Sequence, residues 1–194
     1  MRFEKGRKES SRNRIADVAS KRFRSDGIAA SGLATIMGDA GLTNGAFYPH
    51  FASKAELVRQ CLVQSLETQS QQLQKSLDTG GIETVIAIYL SATHRDNPAN
   101  GCASAALLPE IARQPAKTRQ AYGQQLQILI NQLSASLAQT NKPQSVALGV
   151  LATLFGTLQL ARAVDDKEFS DRILAAGAEA ARALIQAPRN QSAT

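Results

Sequence analysis

Cysteine and histidine are both scarce in this chain of 194 residues: two of each, at Cys61, Cys102, His50 and His94. Residues 1–11 are polar and charged, unlike a secretory leader, so a cytoplasmic protein without a structural disulfide is expected. The two histidines stand far apart, and no cysteine or carboxylate accompanies either at the spacing a metal site needs, so no metal and no cofactor is expected. The chain has no Walker-type phosphate loop and no nucleophile elbow, and nothing in it reads as an enzyme. Strict apolar-polar alternation is rare, no internal repeat is visible, and no segment reads as a strand. Long uncharged runs are also rare. The one candidate, 143–161, contains Gln144, Ser145, Thr153, Thr157, Gln159 and two glycines, and reads as a buried helix of a soluble protein with no membrane partner.

What remains is a globular composition, 43% hydrophobic and 20% charged, rich in the helix formers Ala, Leu and Gln. Charge is unevenly placed. The net charge is +6, and residues 1–59 carry eleven Lys and Arg against six Asp and Glu, leaving eleven against ten for the rest. A basic N-terminal third beside a neutral remainder points to a polyanion partner for the first part alone, or to a solvated basic tail.

Ile15, Val18, Ala19, Arg22 and Phe23 follow a helical stripe, and Gly27 stands where such a helix stops, which predicts a first helix over 9–26. Leu33, Ile36, Met37 and Ala40 form one face of a short second helix, opened by Ser31 or Gly32. After the sharp turn at Gly41, Thr43 opens a third with Phe47 and Phe51 on its inner face. Two short helices across a Gly-containing turn, braced by a longer one, are a helix-turn-helix. Ser53 and Glu56 then form a capping box that starts a fourth helix, ended by Gly80-Gly81. Its polar stretch 67–75 reads as a solvated connection between domains. Further helices are expected over 82–93, 102–112, 115–139, 143–164 and 170–186, with a loop over 96–101, a cap at Ser170 or Asp171 and a loose tail over 188–194. The expectation is an all-α fold of about nine helices: a three-helix helix-turn-helix domain, 1–55, and a larger helical domain, 56–194.

Arg14-Ile15, Ala19, Phe23, Gly27, Ile36, Ala40-Gly41-Leu42-Thr43, Gly45, Phe47-Tyr48, His50-Phe51 and Lys54 together resemble the signature of the TetR (tetracycline repressor) family over 14–57. Beyond residue 80 the resemblance lies only in helical character and length. It implies a homodimeric transcriptional regulator, usually a repressor released from a palindromic double-stranded DNA operator by a small molecule, with 1–55 as the DNA-binding domain and 56–194 as the effector-binding and dimerisation domain. Within such a motif, Thr43, Asn44, Gly45 and Ala46 face base edges. Asn44 suits adenine, Gly45 permits close backbone approach, and Ala46 meets a thymine methyl. By similarity, Tyr48, His50 and Lys54 contact phosphates, and the basic residues from Arg2 to Arg12 add nonspecific contacts. Pro49 lies inside the reading segment, lacks an amide donor and shortens or tightens it. Met37, Gly32 and Ala34 depart from the family's usual residues. Ala34 offers no polar side chain where members often turn one toward DNA.

The helices over 144–164 and 170–186 are apolar on nearly every side. Paired with their two-fold mates they form a four-helix dimer interface; the plainer reading is a monomer core. Leu62, Leu66, Tyr89, Thr93, Cys102, Leu107, Tyr122, Leu126 and Phe155, with Ala106, are the candidates for lining an effector pocket. Effector and operator are not legible, nor is the sign of regulation. Cys102 follows the Asn100-Gly101 turn at a helix start. It is a candidate for oxidation or electrophile modification, or a plain core residue. Control by a protein partner is the other alternative.

Overall fold

The computed structural model describes residues 2–186, with side chains from Lys8 onward. The tail over 188–194 lies outside the described residues, as do the side chains of Arg2, Lys5 and Arg7. Among the described residues there are eight α-helices, two 3-10 turns and no strand. The helices are α1 (Arg2–Asp26), α2 (Leu33–Asp39), α3 (Lys54–Tyr89), α4 (Ala92–Arg95), α5 (Ala103–Ile111), α6 (Ala116–Ser136), α7 (Pro143–Arg162) and α8 (Lys167–Gln186). The chain forms two compact units. One runs to Glu67 and adds Pro98–Gln125; the other holds Thr68–Asn97 and the residues from Leu126 onward.

In the first unit, α1 buries Ile15, Ala19 and Phe23, the stripe expected of it. Gly27 ends it at φ +87, a conformation that favours glycine, with its amide bonded to Phe23 O at 3.0 Å. Ser31 does not cap α2. Its hydroxyl donates to Gly27 O at 2.6 Å, and Gly32 is the N-cap without a side-chain bond. Ile36, Met37, Phe47, Phe51, Leu57 and Val58 are buried too, so burial of apolar surface holds the helix-turn-helix together. The expected third helix is a correction to the three-helix count: Asn44–Ala46 form one 3-10 turn, and a turn through Pro49 follows. Pro49 has no N–H to give to Gly45 O, so an α-helix cannot propagate past it. The capping box forms with one change. Ser53 Oγ accepts from Glu56 N at 3.2 Å, while Glu56 reaches past Ser53 to the amide of Ala52 at 2.9 Å.

The two expected helices over 54–79 and 82–93 run as α3 across a break at Gly80 and Gly81, where Gly81 has φ 66 and ψ −159. That conformation is essentially restricted to glycine. The glycines thus end one helical run and begin the next, as expected; the departures are the lost third helix and the unexpected four-residue α4. Part of the 96–101 loop is a 3-10 turn, Pro98–Asn100.

In the second unit α7 lies along α8. A Cβ built on Gly177 would stand 2.2 Å from Thr157 Oγ1, so this crossing depends on a missing side chain. α8 begins three residues earlier than expected because Asp166 caps it, accepting from Phe169 N at 3.0 Å. Ser170 serves tertiary structure instead: it donates to Ala161 O at 2.6 Å and accepts from Arg95 Nη1 at 2.9 Å. Arg95 is only 7% exposed and also pairs with Asp96 and Asp171, at 2.7 and 2.5 Å. Buried charge persists only with such partners. Arg162 closes the arrangement by donating to the carbonyls of Arg95 and His94 at 3.0 and 2.7 Å. Among the described residues α7 is the one helix long and apolar enough to cross a membrane; it buries Val150, Leu151, Leu154, Phe155 and Leu158 within the unit.

Candidate nucleic-acid interface

The segment between α2 and α3 is presented by buried phenylalanines. Phe47 and Phe51 stack at 5.6 Å between centroids, and Phe47 supports Tyr48 edge-on at 5.4 Å. Tyr48 is thereby held out with 69% of its surface exposed. Thr43, Asn44, Gly45 and Pro49 are exposed beside it, while Ala46, His50 and Lys54 are half-buried. All eight residues expected to meet DNA thus lie between residues 43 and 54, and five of them are exposed.

Arg12 is the residue that builds this surface. Its guanidinium donates to His50 O at 2.7 Å and Gln60 Oε1 at 2.6 Å, and it lies 4.8 Å over the Phe51 ring. Two of its five N–H groups are thereby bonded to the protein. His50 Nδ1 is buried with no hydrogen-bond partner among the described residues. Partial burial lowers the His50 pKa, and the positive charges of Lys8 and Arg12 lower it further, so the ring is neutral at pH 7. Lys54 is tethered: Nζ donates to Ile28 O at 2.6 Å. An ammonium has three protons, so two remain for other acceptors.

Two residues that sequence patterns do not mark tie this unit together: Glu110 on α5 holds the α1–α2 turn, and Arg24 on α1 bonds to the segment before α5 and to α3. Glu110 accepts from Ile28 N at 3.1 Å and Ala29 N at 2.9 Å. Arg24 donates to Ala99 O at 2.7 Å and to the hydroxyls of Ser20 and Ser65 at 2.7 and 2.9 Å. Their partners lie up to 82 residues away, beyond any local spacing.

The effector-pocket candidates divide between the units. In the first, Leu62 and Leu107 line a small, partly open cleft of about 10 Å³ with Arg24, Cys61 and Ser65. Leu66 is buried in the same unit. Cys102 is buried at the N-cap of α5, Ala106 lies one turn on, and Tyr122 donates to Ser104 Oγ at 3.0 Å. In the second unit Tyr89 meets Phe155 at 6.0 Å between centroids and His94 edge-on at 4.7 Å. Leu126 is half-buried and Thr93 exposed. Burial pushes the Cys61 thiol up to about 12, and Cys61 donates weakly to Ala16 O.

Residues 15–61 match the family described as bacterial regulatory proteins, tetR family. No curated protein matches the chain. Several solved structures share its fold. A TetR-family regulator from Cytophaga hutchinsonii superposes with a TM-score of 0.77 at 16% identity, over 95% of this chain and 98% of the other. One from Streptomyces coelicolor gives 0.76 at 18%, over 92% and 95%. The reduced form of Escherichia coli NemR gives 0.73 at 20%, over 87% and 95%. Identities this low speak to fold alone; over residues 15–61 the chain is similar to the bacterial regulatory proteins of the tetR family.

Proposed function

We propose that this regulator is a cytoplasmic, homodimeric repressor that leaves a palindromic DNA operator when a small molecule binds. The observation that carries the reading is the exposed set Thr43, Asn44, Gly45, Tyr48 and Pro49, held on a phenylalanine base and flanked by Lys8, His50 and Lys54. In a major groove, Asn44 reads a base edge, Gly45 lets the backbone approach, and Ala46 meets a methyl. Tyr48, His50 and Lys54 contact phosphates. Pro49 keeps the reading turn short. The functional division falls at residue 55, with DNA binding before it and effector binding and dimerisation after it.

The dimer reading rests on apolar surface left open on the last two helices. On α7, Leu148, Ala152, Gly156 and Leu160 are exposed, and on α8, Phe169, Ala176, Ala180 and Leu184. An exposed apolar face of this extent calls for cover, and paired half-sites call for a two-fold mate. The aromatic group of Tyr89, His94 and Phe155 is the best-formed candidate wall for an effector site. Both thiols are buried, so nothing favours control through cysteine.

Selection of bound duplexes from a random pool tests the reading, repeated with small molecules for release. A palindromic consensus is expected; failure to enrich any sequence would sink it. On the selected duplex, Lys54→Ala should weaken all DNA binding and reduce the salt slope by roughly one phosphate. Asn44→Ala should weaken the operator more than random DNA.

A further inference from the structure

Lys54 and Glu110 act on opposite ends of one peptide group. The carbonyl of Ile28 accepts from Lys54 Nζ at 2.6 Å, and the amide that follows, Ala29 N–H, donates to Glu110 Oε2 at 2.9 Å. Glu110 Oε1 takes the preceding amide, Ile28 N–H, at 3.1 Å. An ammonium and a carboxylate are thus joined through the Ile28–Ala29 peptide, whose dipole each of them polarises in the same sense. Hydrogen bonds in such a chain strengthen one another, and both terminal bonds are charge-assisted. Lys54 opens α3 beside the reading turn, whereas Glu110 stands on α5, on the effector side of the functional division. The turn they grip is shaped for the carboxylate: Gly27 has φ +87, and a Cβ there would stand 2.8 Å from Glu110 Oε1.

We infer that Glu110 is a positioning residue for DNA binding: through the Ile28–Ala29 peptide it holds the Lys54 ammonium in place for a backbone phosphate. The inference rests on the DNA-binding reading of Lys54. Its consequence is that the α5 side of the molecule acts on a DNA contact through three hydrogen bonds and no rearrangement of the reading turn. A phosphate that draws on Lys54 weakens the grip of the ammonium on Ile28 O. A displacement of Glu110 loosens the same peptide from the other end.

A double-mutant cycle on the full chain tests it, using Glu110→Ala, Lys54→Met and the double variant. The DNA probe is the duplex that the wild-type protein selects from a random pool. Glu110→Ala should weaken binding about tenfold in the wild-type background, the loss expected for bonds to a charged group, and by no more than about twofold in the Lys54→Met background. Equal factors in both backgrounds would mean that Glu110 merely supports the fold, and would overturn the inference. Glu110→Gln, which keeps shape without charge, should fall between, and it replaces Glu110→Ala should that variant fail to fold.

A second arm needs no DNA. Exchange of the Ala29 amide, resolved by NMR, should quicken about tenfold in Glu110→Ala and several-fold in Lys54→Met, although Lys54 does not touch that amide. An unchanged rate in Lys54→Met would break the proposed link. Should wild-type protein select no DNA, the DNA-binding reading fails on its own, and the exchange arm still decides whether the bridge exists.

Discussion

Replacing Gly177 by alanine pits two opposing effects at the α7–α8 crossing. On helix propensity alone the change stabilises by about 1 kcal/mol, since glycine costs that much in a helix interior. The added methyl, however, would stand 2.2 Å from Thr157 Oγ1, 2.3 Å from Cγ2 and 2.7 Å from Cβ. Rotation about χ1 of Thr157 can carry Oγ1 and Cγ2 away, but Cβ is fixed to the backbone of α7. Relief to an ordinary carbon-carbon contact of about 3.5–4.0 Å requires the helices to part by roughly an ångström. That parting loosens contacts along α7 and α8, whose inner faces bury Ala147, Val150, Leu154, Leu158, Leu174 and Ala181. Overpacking of this kind costs typically about 1–3 kcal/mol, and here backbone must move, so the upper half of that range applies. After the propensity gain, Gly177→Ala should still destabilise by about 1–2 kcal/mol, which lowers Tm by roughly 2–8 °C in a chain of this size. Thermal unfolding by circular dichroism measures it. Adding Thr157→Gly moves the missing side chain to the facing helix and should recover much of the loss. A Gly177→Ala protein melting at or above the wild type would refute the reasoning, because propensity would then have outweighed the clash.

Gly27→Ala should destabilise by about 1–2 kcal/mol, since alanine resists positive φ, and its methyl would push Glu110 off the Ile28 and Ala29 amides. Urea unfolding gives the first effect and faster Ala29 exchange the second. Cys61, held up to about 12 by burial, should resist aromatic disulfide reagents at pH 8 in the folded state and react on unfolding. Its pKa is raised above the ordinary value of 9.0, so the folded state keeps a proton that the unfolded state loses. The stabilisation it gives is whole below pH 9 and fades as pH climbs toward 12; Cys61→Ala should flatten that part of the urea-unfolding profile. His50, neutral at pH 7 through burial and its basic neighbours, should gain charge as the solution is acidified. DNA binding should then tighten and its salt slope steepen by up to about one phosphate between pH 7.5 and 5, an increment absent from His50→Asn.

Those features that are written locally could be read from the sequence. The Ile15–Phe23 stripe, the stops at Gly27 and Gly80-Gly81, the Gly41 turn and the Ser53–Glu56 box each depend on residues within a few positions of one another. All of them appear where their spacing puts them. Pro49 announced a shortened reading segment for the same reason, though its reduction to a single 3-10 turn was not foreseen. Where several residues can play one part, the choice is made from afar. Asp166 and Ser170 can both cap α8, and the claim of Arg95 on Ser170, 75 residues away in sequence, leaves the cap to Asp166. Glu110 was illegible for a related reason. A carboxylate on a helix looks like a solvated charge until the amides it caps are brought to it. The effector-pocket candidates were the least distinct in the sequence, because apolar residues at helical spacing look alike whether they line a cavity or fill a core.

The charge count itself changes meaning once each cation has a place. Eleven Lys and Arg precede residue 60, which on its own describes a strongly basic DNA-binding face. Yet Arg22 is bonded to Asp26 and Asp39 at 3.0 and 2.6 Å, Arg24 turns inward onto two hydroxyls and a carbonyl, and Arg12 donates to His50 and Gln60 and lies over the Phe51 ring. Three of the eleven therefore give the protein N–H bonds that would otherwise go to phosphate. Burial already lowers the pKa of Arg24, so it adds field without adding an accessible contact. Lys54 does both jobs, since its bond to Ile28 O leaves two protons free. The salt slope of DNA binding counts phosphates neutralised, so it should fall well short of what eleven cations per chain would give.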